Sequence, residues 1–249
     1  MAQFILLDTE TTGVEEEDRI CQLAFLVLDK GGMQAYESLC KPPLPISLKA
    51  MSIHHITNEE VNEKPLFAEC ESAKKLNELN QESNILIIQN APFDLGMLAK
   101  EGFEWQGKLI DTLRCIKHLE PEHESHSLQY LRYALGFYKD EQAIADGLGV
   151  AIKAHDALGD VIVLNLLMKY LVAKVDRDIG RLIELTQTPI LYETITFGAK
   201  YKRREDRYED IVKKDRQYLE WAVANLALDE DVKYSINYHL GRRGEEATV

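Results

Sequence analysis

The sequence predicts an α/β fold, a mixed β-sheet flanked by helices, with a small domain appended towards the C-terminus. Three observations carry that prediction. Short apolar runs and turn residues fill the first forty positions, later apolar runs alternate with helical stretches, and the character of the chain changes near residue 190.

Residues 3–8 form an apolar run ending in Asp8, the pattern of a buried strand. A second run spans Ile20 to Leu28, Gly31-Gly32 makes a turn, and a third lies around Tyr36 to Leu39. Together these predict an antiparallel meander. Pro42, Pro43 and Pro45 then open a loop. A helix is expected over Ala68 to Asn80, leading into a buried strand at Ile85 to Ile88. Asn90-Ala91-Pro92 reads as a helix start, since proline is tolerated in the first turn. A short strand at Leu109-Ile110, three helical segments before residue 153 and a long helix over Ala157 to Val172 complete this part. The pattern loosens at 176–190, so residues 1–175 are expected as one domain, 176–190 as a linker and 191–249 as the small second domain.

Composition narrows the function classes. The 249 residues are 45% apolar and 29% charged, a balance that sustains a packed core. The net charge of −13 argues against indiscriminate coating of nucleic acid, which requires a basic face. It leaves room for an enzyme whose metal ions bring their own positive charge. Cys21, Cys40, Cys70 and Cys115 form no CxxC pair and are expected as small buried hydrophobes in a reducing compartment. The run Phe4 to Leu7 is too short for a signal-peptide core and no run reaches membrane-spanning length, so a cytoplasmic protein with no membrane partner is expected.

An acidic constellation carries the chemistry. Asp8 and Glu10 stand two apart at a strand end, so their side chains share a face and can converge on one point. Two such carboxylates repel unless a cation lies between them, and hard oxygen donors suit Mg²⁺ or Mn²⁺. In isolation the pair also fits solvated surface acids. Thr11-Thr12-Gly13 follows as a turn whose backbone and hydroxyls are able to hold a terminal sugar. Asp94 comes directly after a buried strand, where sites gather in open sheets, although a first-turn aspartate also complements the helix dipole. Asp160 flanks an apolar helix stripe, an expensive position for an unpaired carboxylate. His155, at the helix start, is placed either as a base over that site or as a surface imidazole.

The joint pattern resembles the DnaQ-like exonucleases of the DEDDh group, which share a ribonuclease H-like fold. The matching signatures are Asp8-Thr9-Glu10-Thr11-Thr12-Gly13, Asn90-Ala91-Pro92-Phe93-Asp94 and His155-Asp156-Ala157-Leu158-Gly159-Asp160. Ile53-His54-His55-Ile56-Thr57, Asp111-Thr112-Leu113 and His126-Ser127-Leu128 support them, and the likeness covers residues 3–172. The resemblance implies a 3′→5′ exonuclease with two ions per site. Asp8 would bridge both ions, Glu10 and Asp160 would complete the shell of the first, and Asp94 would hold the second. His155 would deprotonate the attacking water. Thr11, Thr12, Gly13, His54, Ile56, Asn90 and Phe93 would line the pocket for the 3′-terminal nucleotide. The chain departs from the family at Gln89, where a histidine is frequent, and at His55, where a glycine is frequent.

Residues 191–240 resemble the small C-terminal domain of exodeoxyribonuclease X-like proteins, through Thr196-Phe197-Gly198-Ala199-Lys200-Tyr201-Lys202 and Tyr218-Leu219-Glu220-Trp221. Here Ala199 is inserted and Arg203 replaces an expected glycine. Tyr218, Leu219 and Trp221 are expected in this domain's core. Residues 200–216 carry eight Lys/Arg against five acidic residues, a basic run that is either a phosphate contact or a solvated loop. The expected partners are DNA 3′ ends, single-stranded or frayed from a duplex. A polymerase or repair proteins are further candidate partners. A freestanding DNA exonuclease is the first reading; the alternatives are a DNA polymerase III epsilon-like proofreading subunit docked on a polymerase, an RNA-trimming exoribonuclease, and a non-catalytic nucleic-acid binder. The intact set of five costly polar groups speaks against the last.

Overall fold

A computed structural model describes residues 2–150 and 157–241 and divides the chain into two compact units, Met1–Thr186 and Gln187–Val249. His155 and Asp156 lie outside the described residues. Among the described residues no helix is long and apolar enough to cross a membrane.

The first unit opens with three strands, β1 (Phe4–Thr11), β2 (Ile20–Asp29) and β3 (Gly32–Leu39), paired antiparallel in sequence. Two short helices follow, α1 (Leu48–His54) and α2 (Asn58–Asn62), then a 3-10 turn at Phe67–Glu69 and α3 (Glu71–Leu79). The sequence shows only a proline-rich loop ahead of α1, because a seven-residue and a five-residue helix are too short to leave a clear apolar period. Ser47 and Thr57 mark their starts as N-caps, Thr57 within a capping box closed by Glu60.

β4 (Ile85–Ile88) then pairs parallel to β1, α4 (Ala91–Lys100) crosses over, and β5 (Lys108–Asp111) pairs parallel to β4. The resulting order is β3-β2-β1-β4-β5, a mixed sheet with β1 at its centre. The remaining helices are α5 (Thr112–Leu119), α6 (Leu128–Ala134), α7 (Glu141–Leu148), α8 (Ala157–Lys174) and α9 (Ile179–Gln187). A 3-10 turn at Phe137–Lys139 separates α6 from α7.

Both faces of the sheet are buried, which explains why β1, β2 and β4 read as nearly continuous apolar runs. Leu6, Ala24, Leu26, Ile85 and Ile87 pack into a core with α5 to α9. Ile5, Leu7, Leu23, Phe25, Leu86 and Ile88 pack into a second core with α3 and α4. The stretch expected to link two domains instead contains α9, whose Leu182 and Leu185 are buried in the first of these cores. Charges and a glycine at 175–180 obscured its apolar period. All four cysteines are buried free thiols.

The second unit contains α10 (Tyr208–Asn225) and α11 (Glu230–His239) around Ile195, Tyr208, Ile211, Leu219, Val232, Ile236 and Leu240. α10 bends at Asp215 (φ −158°, ψ 52°), whose carboxylate accepts the Tyr201 hydroxyl at 2.6 Å and meets the Lys200 ammonium. Leu219 is fully buried and Tyr218 packs partly against this core, but Trp221 is half exposed, against the expectation. Two residues along a helix rotate a side chain by about 200°, so Leu219 and Trp221 face opposite ways. The basic run is laced with acids: Lys202 pairs with Glu205, Arg207 with Glu193, Lys213 with Asp210, Lys214 with Asp206 and Arg216 with Glu220. Its positive excess is therefore largely answered from within the unit.

Candidate active site and metal centre

β1 sets the site because its side chains alternate between the two sheet faces. Asp8 and Glu10 follow Leu6 onto the face covered by α8, and Thr9 follows Ile5 and Leu7 onto the face covered by α3 and α4. Asp160 lies in the first turn of α8. One carboxylate oxygen from each of Asp8, Glu10 and Asp160 lies within 4.8 Å of the other two. All three side chains are half-buried, so the group faces solvent on one side.

Asp94 meets β1 at the edge that β4 leaves open. Its Oδ1 accepts from the Thr9 hydroxyl at 2.7 Å and from the Thr9 backbone N–H at 3.1 Å. The physical reason lies in the ladder. β4 pairs with β1 only as far as Leu6↔Ile87, so β1 outruns its partner and Thr9 has no strand on that side. The turn into α4 supplies a carboxylate in place of the missing partner. Burial pushes the Asp94 carboxyl up to about 7, against the two bonds from Thr9, and the neighbouring Asp111 adds to the rise. Among the described residues Asp94 is not one of the three acids that meet directly; Thr9 connects it to them.

Asp111 fixes where α4 begins. Its Oδ1 accepts the N–H of Asn90 at 3.1 Å and of Leu113 at 2.9 Å, and its Oδ2 accepts the N–H of Ala91 at 3.1 Å. One carboxylate thus caps two helix N-termini. Asn90 takes a left-handed conformation (φ 68°) that its short side chain tolerates. Phe93 is partly buried against the second core.

The turn at residues 11–13 is internally satisfied. The Thr12 hydroxyl donates to Asp18 Oδ1 at 2.6 Å and accepts the Arg19 N–H at 3.1 Å, while the Thr11 hydroxyl donates to the Gly13 carbonyl at 2.6 Å. His54 Nδ1 accepts the Ile56 N–H at 3.0 Å, so Nε2 carries the proton and donates to the Thr11 carbonyl at 3.2 Å. Burial lowers the pKa of this imidazole, in keeping with the neutral tautomer. These polar atoms shape the wall beside the carboxylates and are engaged within it. His55 occupies a left-handed position (φ 63°), which accounts for a glycine being at ease there.

Two glutamines complete the surroundings. The Gln129 amide on α6 donates to Asp160 Oδ1, its own Oε1 accepts from Arg132 at 3.3 Å, and Arg132 pairs with the buried Glu141. Gln22, opposite Glu10 in the sheet, accepts the Ala157 N–H at 3.2 Å and donates to Glu37 at 2.6 Å, holding the first turn of α8 against β2. Sequence reasoning missed both. The match at His126-Ser127-Leu128 stops one residue short of Gln129. Gln89, the departure from the family pattern, accepts the Thr112 hydroxyl at 2.6 Å and donates to the His126 carbonyl at 2.8 Å, fixing the approach to α6.

Comparison with known proteins agrees with this architecture. A DNA polymerase III subunit epsilon-like protein of Rhodobacter capsulatus is 30% identical over 168 residues, 64% of this chain and 22% of that protein. Exodeoxyribonuclease 10 of Escherichia coli K12 is 26% identical over 237 residues, 94% of this chain and 97% of that protein. This chain thus spans about a fifth of the first relative and nearly all of the second. The solved structure of Exonuclease X in complex with 5′ overhanging duplex DNA superposes with a TM-score of 0.56 at 23% identity, covering 74% of this chain and 99% of that one. That likeness shows the fold, a ribonuclease H-like mixed sheet flanked by helices. Residues 5–167 match the RNase T exonuclease family, and the chain belongs to it.

Proposed function

We propose that this exonuclease removes nucleotides from the 3′ ends of DNA, releasing nucleoside 5′-monophosphates with the help of two Mg²⁺ or Mn²⁺ ions. The observation that carries the reading is the meeting of Asp8, Glu10 and Asp160 within 4.8 Å. Three carboxylates this close repel one another unless they share a cation, and their hard oxygens fit Mg²⁺ or Mn²⁺. Asp8, Glu10 and Asp160 would hold one ion, and Asp8 with Asp94 the other. Such a pair, when bound, stabilises charge on the attacking and departing oxygens of a phosphodiester.

The protein's own groups do the rest. His155 takes a proton from the water that attacks the terminal phosphorus, a role suited to an imidazole titrating near neutrality. The bond from phosphorus to the 3′ oxygen breaks, the terminal nucleotide leaves as its 5′-monophosphate, and the new 3′ oxygen takes up a proton. Residues 11–13, His54, Ile56, Asn90 and Phe93 form the wall for that nucleotide, gripping it by shape and backbone because the polar side-chain atoms of Thr11, Thr12 and His54 are engaged internally.

A freestanding DNA exonuclease is favoured because the likeness to Exodeoxyribonuclease 10 extends over 94% of this chain. A proofreading subunit is the second reading, supported by the epsilon-like relative. Co-migration with a polymerase in gel filtration would favour it. The decisive assay follows 3′- and 5′-labelled DNA and RNA oligonucleotides on gels with Mg²⁺, Mn²⁺ or EDTA. The expected result is immediate release of the 3′ label as a mononucleotide, a shortening ladder from the 5′ label, faster turnover of DNA than RNA, and arrest by EDTA. Turnover in EDTA, or release of the 5′ label first, would overturn the reading.

A further inference from the structure

We propose that Tyr133 and Tyr138 form a stacking platform for a base of the strand whose end is being removed. The proposal rests on the exonuclease reading and adds a contact that reading lacks.

The argument begins with α6. Gln129 on this helix reaches Asp160 at the acidic centre. Tyr133, four residues on, shares its helix face, about 6 Å further along the axis. Tyr133 is 62% exposed, one helical turn from the residue that touches Asp160. Tyr138 follows across the turn at Gly136 and is 46% exposed. The two ring centroids are 5.6 Å apart with planes inclined by 35°.

Both rings are carried on a fixed frame. Leu131 and Phe137 are buried in the core beside them, and Phe137 packs edge-on against Tyr170 at 6.1 Å. The exposed tyrosines are thus flanked in sequence by residues packed into the core. Cations accompany each ring: the Arg132 guanidinium lies 5.3 Å from the Tyr133 centroid, and Lys139 Nζ lies 5.6 Å from that of Tyr138. The Arg132 charge is answered by the buried Glu141, so Lys139 is the cation of the pair assigned to a phosphate.

Two exposed rings with a lysine beside one of them suit a single strand of nucleic acid, with a base on the rings and its phosphate near Lys139. Stacking of this kind tolerates every base, because each has a π-face. An enzyme that must pass any sequence through its site needs that tolerance. Hydrogen-bond readout at the same place would stall it on disfavoured bases.

The test combines variants with altered substrates. Removing a stacking ring weakens single-strand binding by about 5- to 100-fold. The doubly substituted Y133A/Y138A protein is expected to raise KM for single-stranded oligonucleotides by that factor. Its deficit is expected to grow from a dinucleotide to longer strands, as the base that meets the rings comes into place. Y133F/Y138F is expected to restore the wild-type KM. A second measurement needs no variant: single abasic residues are placed in turn along an oligonucleotide and KM is read for the wild type. One internal position is expected to raise KM, and Y133A/Y138A is expected to be indifferent there. An equal deficit at every length, failure of the phenylalanine pair to rescue, or a flat abasic scan on an active wild type overturns the platform and leaves the exonuclease reading standing. A wild type that hydrolyses no oligonucleotide overturns both.

Discussion

The side-chain amide of Gln129 donates to Asp160 Oδ1, so a residue of α6 sets the orientation of a carboxylate carried by α8. Behind it Arg132 donates to Gln129 Oε1 and is itself held by Glu141. If Asp160 holds an ion as proposed, removing the outer partner of such a ligand carboxylate lowers metal affinity or activity by about 10- to 100-fold. Gln129→Ala is therefore expected to lower kcat/KM within that range and to raise the Mg²⁺ concentration giving half-maximal activity. Gln129→Glu, which sets a fourth negative charge against Asp160, should be worse. An unchanged Mg²⁺ titration in Gln129→Ala would remove the orienting role.

How far the sequence reveals this arrangement depends on the physical distance over which each signal acts. The convergence of Asp8 and Glu10 follows from strand alternation within one triplet, and the meander and the α8 helix follow from apolar period. The Gln129–Asp160 contact leaves no such trace, because a polar bond across 31 positions has no period and any short polar side chain at 129 reads as surface. The same holds for Thr9 and Asp94, which meet only because β1 runs past the end of β4. Short helices α1 and α2 announce themselves through caps alone. Trp221 departs from the expected core because a Tyr-Leu-x-Trp cluster is apolar in sequence, while the helix rotation between Leu219 and Trp221 turns the indole outward.

The buried carboxyl of Asp94 gives a pH signature to the metal-free protein. Burial raises it from an ordinary 3.8 to about 7 in the folded state. Folding therefore favours the protonated form. That stability is fully present below the unfolded value and is lost as pH rises through about 7. Asp111, raised by the same burial, acts in the same direction. The Tm measured in EDTA is expected to fall from pH 5.5 to pH 8, and Mg²⁺ is expected to raise Tm chiefly at the upper end. Asp94→Asn should flatten the profile in EDTA and diminish the response to Mg²⁺. A wild-type profile with the opposite slope that Asp94→Asn leaves unaltered would count against this account.

Gly13 is required for a steric reason. A Cβ at this position would lie 2.4 Å from Asp18 Oδ2, the carboxylate that accepts both the Thr12 hydroxyl and the Glu15 N–H. Gly13→Ala must therefore displace Asp18 and strip a buried hydroxyl of its partner, at about 1–3 kcal/mol. Urea denaturation should show that loss. KM for oligonucleotides should rise more than kcat falls, since the turn borders the proposed nucleotide pocket and carries no reacting group. A variant of wild-type stability and KM would show that Asp18 yields without cost.

Ion holding and proton transfer are separable by substitution. Asp8→Ala or Asp160→Ala removes one of three carboxylates that meet within 4.8 Å, and hydrolysis is expected to vanish at any Mg²⁺ concentration tested. His155→Ala removes the proposed base while leaving those acids intact. Its rate should drop by about 10²- to 10⁴-fold, with the Mg²⁺ titration midpoint held and the rising limb of the pH–rate profile near neutrality lost. On the proposed reading the two outcomes divide because the carboxylates would define the ions' place, whereas the imidazole would act on the water. If His155→Ala instead shifted the Mg²⁺ midpoint and kept the pH profile, the histidine would belong with the ligands and another group would have to accept the proton.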